Sequence, residues 1–367
     1  MSTPNYLILS FDGGGLRGLI TALMLRDLEN DPQTRDLLAR VNLFAGTSTG
    51  GIIALALASG TPVETIIGLY RDGGSQIFTP AKPTLGELYQ LASEFLPLPK
   101  FSGKRLGRRE VTNPFRFLDD IVLALKEFVM ARYVSDGLRE LLTPHLSADK
   151  TLADLERKVL VTTLQLSDEQ SWVPLLLTNL GGAAEPSSAS LVLDAALCTG
   201  AAPTYFPPHK HSIYGYCADG GLFANNPSTL ALTAACAHDI DLKQIRLLSL
   251  GTGSRTAQIP AAAIDSYGPQ NYGAFLWMSP AQRRGAPSVP LMNAIMDNAV
   301  QSDVAQTRLI LGTERYQRGN IILTESISLD DHTPAAIQTM ERVAGDYIRS
   351  DEWKIRKQHI ARWLEDS

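Results

Sequence analysis

Tyr6-Leu7-Ile8-Leu9-Ser10-Phe11-Asp12-Gly13-Gly14-Gly15-Leu16-Arg17-Gly18 is the stretch that decides the fold. Its first six residues form a short apolar run, the signature of a buried strand. A glycine loop follows at once, and then Leu19, Leu23, Leu25 and Leu28 recur at helical spacing. The same passage repeats further on. Val41-Asn42-Leu43-Phe44-Ala45 leads into Gly46-Thr47-Ser48-Thr49-Gly50-Gly51, and the apolar residues 52–58 continue as a helix. Two strand–glycine loop–helix units in succession predict an α/β layered fold.

Outward from there the rhythm resumes after a break. Strands are expected over 158–164 and 173–178, the second at a sheet edge because Pro174 cannot donate to a ladder. Residues 191–198 and 227–237 predict helices, 212–217 a strand before the turn Asp219-Gly220-Gly221, and 245–250 a further buried strand. Helices are expected over 303–311 and 334–348. The Pro-, Gly- and Ala-rich stretch 257–290 is expected to be a long loop.

Composition excludes several classes. The 367 residues are 44% hydrophobic and 19% charged, which supports a sizeable core and rules out a disordered chain. A net charge of -5 offers no basic footprint for nucleic acid. Cys198, Cys217 and Cys236 are odd in number and form no CxxC pair, which argues against a disulfide framework or a zinc site. No signal-type start is present. The longest apolar run, 52–58, falls far short of the roughly 18 residues a membrane span needs. A cytoplasmic chain with at most peripheral membrane contact is expected.

Gly46-Thr47-Ser48-Thr49-Gly50 fits the nucleophile elbow, in which a serine occupies a strained strand-to-helix turn flanked by small residues. Gly13, Gly14 and Gly15 let backbone N–H groups converge on a small anion, as an oxyanion hole requires. Gly13-x-Gly15-x-x-Gly18 also matches the dinucleotide fingerprint. That reading needs an acid at the end of the next strand, where this chain has Ser48. A serine nucleophile needs a base. His209 and His211 sit in what reads as an exposed loop, and Asp219, after an expected strand, is the better candidate.

Asp12 through Gly18, Gly46 through Gly50 and Asp219-Gly220-Gly221, taken in order, resemble the patatin-like phospholipase family. Ala201 through Phe206, Asn225-Asn226-Pro227-Ser228 and Ser249 through Gly253 strengthen the resemblance. It implies a three-layer α/β/α sandwich around a mostly parallel sheet, with a helical insertion and C-terminal helices. It implies Ser48 as nucleophile, Asp219 as its dyad partner, Gly13, Gly14 and Gly15 as the oxyanion hole, and Arg17 as support for that loop. It further implies hydrolysis of fatty acyl esters in phospholipids or galactolipids through an acyl-enzyme, with no metal or cofactor. A nucleotide-activated defence effector of the same family is the alternative, as is a non-catalytic nucleotide-binding or storage protein.

Because Ser48, Asp219 and the glycine loop must meet, residues 1–255 are expected to form one catalytic domain. An insertion near 75–131 interrupts it, and 256–367 form a loop and helical extension packed on it. The insertion carries apolar Phe95, Leu96, Leu98 and Phe101 beside basic Lys100, Lys104, Arg105, Arg108, Arg109 and Arg116. The bland reading is a solvated basic loop followed by a core helix after Asn113-Pro114. The sharper one is a peripheral contact, over residues 95–116, with membrane or micellar lipid. On that reading, neutralising Arg105, Arg108 and Arg109 lowers turnover on anionic vesicles. Unchanged turnover on anionic vesicles would remove it.

Overall fold

Strand β1 (Tyr6–Phe11) is buried along almost its whole length, as a central parallel strand must be. The computed structural model describes residues 4–82, 86, 130–146, 149–166, 171–255, 259–278, 290–325 and 327–365. In it β1 pairs in parallel with β2 (Leu43–Thr47) on one side and with β7 (Ile245–Leu250) on the other. Beyond β2 lies β3 (Lys158–Gln165), and beyond β7 lies β8 (Tyr316–Gly319), both again parallel. Three antiparallel strands complete the sheet. β4 (Val173–Thr178) runs along the far side of β3, β6 (Gly215–Asp219) pairs with the last residues of β3, and β5 (His209–His211) pairs with β6.

Alternation along β1 creates the two interfaces of a three-layer sandwich. Leu7, Leu9 and Phe11 join one apolar cluster with helices α1 (Gly18–Asn30), α2 (Thr49–Ala58) and α3 (Val63–Asp72). Ile8 joins the opposite cluster. All ten residues of α2 are buried, so its apolar character all round follows from its central place. Helix α4 (Asp136–Leu146) and helix α5 (Val192–Thr199) adjoin it on the same side. Helix α6 (Ser228–Ala237) covers the opposite face together with the C-terminal part of α7 (Pro290–Arg315).

Several elements depart from the sequence expectations. Residues 209–211 form a strand rather than an exposed loop. His211 is buried, its Nδ1 accepts the N–H groups of Ile213 and Tyr214, and His209 Nε2 lies 3.1 Å from Asp194 Oδ1. Local turn bonding thus converts a polar run into an edge. The stretch expected as one long loop contains a helix, Ala261–Tyr267. Helix α7 starts well before residue 303 and is interrupted at Gly312 (φ 71°). The middle of the insertion lies outside the described residues, including its basic run and the helix expected after Asn113-Pro114. The chain leaves for it and returns side by side, with Ala81 N–H donating to Arg132 O (2.9 Å).

The C-terminal segment enters the sheet itself through β8, which no apolar periodicity announced. Helices α8 (Pro334–Arg349) and α9 (Asp351–Glu365) close over α1. Trp353 is fully buried, and its Nε1 donates to Asp27 Oδ2 (2.7 Å). From β8, Arg318 reaches across β7 and forms a two-point ion pair with Asp12, both side chains buried, while also donating to Ser249 Oγ (2.8 Å). Arg318→Met leaves a carboxylate without its partner. It should lower the unfolding free energy by about 3–5 kcal/mol, read as a lower urea midpoint at pH 7. The deficit should shrink in acid, where Asp12 takes up a proton.

Candidate active site

Strand register brings the two expected catalytic residues together. β2 runs parallel to β3 and ends with Thr47 opposite Thr162. β6 arrives antiparallel on the same flank of β3, its last residue, Asp219, opposite Thr163. Ser48, the next residue after β2, therefore lies beside the end of β6. Thr47 Oγ1 and Thr162 Oγ1 are 2.7 Å apart at this seam.

Ser48 adopts φ 55° and ψ -127°, outside the regions open to ordinary L-residues. Such a conformation costs on the order of 1–3 kcal/mol and persists only where surrounding contacts impose it. Here the Ser48 N–H donates to Thr199 Oγ1 (2.7 Å), and its carbonyl accepts Ile52 N–H (3.0 Å) at the start of α2. The flanking glycines are required by close approach. A β-carbon on Gly46 would lie 2.1 Å from Gly50 O, and one on Gly50 would lie 2.3 Å from Phe11 O.

Asp219 is 1% exposed. Burial raises its pKa to about 7, against the opposing pull of the Ser48 hydroxyl and of Gly221 N–H, which donates to Oδ1 (2.7 Å). Its Oδ2 is enclosed without a well-formed hydrogen bond. The serine hydroxyl thus lies beside the carboxyl but is not tightly bonded to it.

The glycine loop forms the opposite wall. Gly13 N–H is committed to Asn225 O (2.9 Å), and Gly13 O accepts Thr252 Oγ1–H (2.9 Å). Gly14 and Gly15 line the pocket together with Ser48 and Asp219. Buried Arg17, itself in the pocket lining, holds the loop, its Nε donating to Gly14 O (3.4 Å) and its Nη1 to Gly253 O (3.2 Å). The rest of the pocket is largely apolar, with Ile52, Phe78, Leu138, Phe206, Met296 and Leu329 among its lining. No histidine is among the described lining residues. Among the described residues there is no group of acidic, histidine or cysteine side chains that could hold a metal. Sequence reasoning did not single out Thr199 or Arg318, whose roles depend on long-range contacts. It treated Asn225 and Thr252 only as parts of supporting motifs.

Fold and site define an α/β protein with a serine elbow facing a buried carboxylate and an apolar pocket. The chain belongs to the patatin-like phospholipase family, whose model matches residues 9–232. It is 30% identical to a "cGAMP-activated phospholipase" of Escherichia coli over 68% of this chain and 62% of that protein. It is 29% identical to a "cGAMP-activated phospholipase" of Pseudomonas aeruginosa over 82% of this chain and 78% of that protein. Human GIVD cytosolic phospholipase A2 aligns in structure at 12% identity and a TM-score of 0.41, covering 99% of this chain and 63% of that one. The chain thus spans less than two thirds of the Escherichia coli relative. Among the described residues, no helix is long and apolar enough to cross a membrane.

The Asp219 shift carries a stability consequence. Its ordinary value is 3.8 and its folded value about 7, so between these pH values the folded chain holds a proton that the unfolded chain releases. Stability from this group is fully present below about pH 4 and is lost as pH rises through about 7. Asp219→Asn removes the penalty while keeping an acceptor for Gly221 N–H. It should unfold at higher urea than the unsubstituted protein at pH 8, by a few kcal/mol in order of magnitude, and at similar urea near pH 4. Equal midpoints at pH 8 would contradict the burial of an ionisable carboxyl.

Proposed function

We propose that the chain hydrolyses fatty acyl esters of lipids by a Ser48–Asp219 dyad, as a phospholipase A, lysophospholipase or galactolipase. The observation that carries this reading is the strained Ser48 set beside an enclosed Asp219 oxygen in the lining of a largely apolar pocket. Ser48 Oγ attacks the acyl carbon while Asp219 takes its proton. The tetrahedral oxyanion collapses, the alcohol leaves with that proton, and an acyl-enzyme remains. Water then attacks the acyl carbon with Asp219 again as base. A carboxyl with a pKa near 7 is far better matched to this work at neutral pH than an ordinary aspartate. Gly14 and Gly15 supply backbone donors to the oxyanion, Gly13 gives the close approach, and Arg17 holds the loop.

The mechanism calls for no metal or cofactor. Residues 1–255 form the catalytic domain. Residues 256–367 belong to the same unit, since they contribute β8 and the Arg318–Asp12 pair. The enzyme works in the cytoplasm at lipid surfaces, with 95–116 as a candidate contact. The names of the two bacterial relatives favour a second reading, in which a cyclic dinucleotide activates this same hydrolysis. Turnover with and without cGAMP tests it.

Ser48→Ala should abolish both fluorophosphonate labelling and fatty acid release from defined phospholipids and galactolipids. The unsubstituted protein should show an activity that rises with pH through about 7. Failure of the unsubstituted protein to label would favour a non-catalytic member.

A further inference from the structure

Asn225 has no part in the dyad chemistry, yet its side chain stands inside the site. It follows the helical turn Gly221–Ala224, is 6% exposed, and lines the pocket with Ser48, Asp219 and Gly14. Its Oδ1 is enclosed and has no hydrogen-bond partner. A β-carbon built on Gly13 would lie 2.1 Å from that oxygen, and one built on Gly221 would lie 3.2 Å from it. The oxygen is therefore turned against two glycine α-carbons, where only weak C–H contacts are on offer. Nδ2, the other end of the amide, is not among the enclosed unpartnered atoms, and it belongs to a residue that lines the pocket. The same β-carbon on Gly13 would stand 3.2 Å from Ser48 Cβ, so the amide and the nucleophile flank one point.

This arrangement is costly for a structural residue. An enclosed, unpaired carbonyl oxygen lowers stability, and an apolar side chain of similar size would avoid that loss. Moreover, the backbone carbonyl of Asn225 takes up the Gly13 N–H and so removes one of the three loop donors from service to an anion.

We propose that Asn225 is a catalytic residue whose Nδ2–H donates to the oxyanion formed on the acyl carbonyl, in place of the donor that Gly13 has committed elsewhere. The inference rests on the Ser48–Asp219 reading given above. As Ser48 Oγ bonds to the acyl carbon, the carbonyl π pair moves onto oxygen, which takes hydrogen bonds from Asn225 Nδ2 and from Gly14 and Gly15 N–H. The hydroxyl proton passes to Asp219. When the pair returns to the carbon–oxygen bond, the alcohol is expelled and the Asn225 bond weakens. Asn225 thus acts on the transition state and little on the bound ester.

The test uses Asn225→Ala and Asn225→Asp in the full chain, the second keeping shape and acceptor but losing the N–H. Thermal unfolding serves as the control for folding. For a p-nitrophenyl ester, both should lower kcat ~10²–10³-fold while KM stays within a few fold. Inhibition by a fatty trifluoromethyl ketone, which forms a hemiketal oxyanion on serine, should weaken by a similar factor. Inhibition by the free fatty acid should not change. Folded variants that keep kcat, or lose kcat without losing ketone inhibition, overturn the assignment of Asn225. Hydrolysis that survives Ser48→Ala overturns the dyad reading, and this inference falls with it. Loss in Ser48→Ala without loss in Asn225→Asp removes the Asn225 role alone.

Discussion

The Thr47 hydroxyl ties three distant parts of the chain at one point. Its proton goes to Ala224 O (2.6 Å), which leaves Thr162 to donate to Thr47 across 2.7 Å. One side chain thus fastens the end of β2, the neighbouring strand β3, and the turn that follows Asp219. A slip in β3 pairing by one residue would separate Ser48 from Asp219 and reverse every side chain on the strand. The Thr163 hydroxyl, donating to Ala218 O (2.7 Å), holds β6 at its own register. The site depends on this seam before any catalytic group is considered.

Around the seam the fold applies force where the chemistry needs it. The unfavourable backbone of Ser48 is sustained by the wholly buried α2 and by the Thr199 hydroxyl. The glycine loop is held from two sides, by Arg17 at Gly14 and Gly253 and by Thr252 at Gly13. Beneath it, Asp12 meets Arg318 from the last strand of the sheet. Buried ion pairs contribute little net stability compared with apolar packing, but they are strict about geometry. Here the pair fixes the end of β1, where the glycine loop begins.

Much of this was legible in the residues. The two strand–glycine loop–helix passages appear as β1 and α1, and as β2 and α2, at nearly the expected positions. Pro174 does mark a strand with one partner, since β4 pairs only with β3 among the described residues. The reading of 209–211 failed because histidine and lysine look like loop residues until a turn at Ile213 and Tyr214 consumes their polarity. Strand β8, Tyr-Gln-Arg-Gly, carries no alternation at all. Its burial comes from Trp353, Leu250 and Asp12, all remote in sequence. The role of Asn225 was hidden for a related reason, because an Asn-Asn-Pro run is an ordinary helix start in isolation.

By itself, the sequence determined the α/β class, the glycine loop, the serine elbow and the carboxylate that could answer it. These are local: a strand period, a glycine where no β-carbon fits, a small residue beside a sharp turn. The tertiary structure alone decided that Ser48 and Asp219 share one flank of β3, that Asp219 loses its solvent, and that the C-terminal segment is part of the sheet. Those outcomes depend on register and burial, which arise only when segments far apart in sequence exclude water from one another.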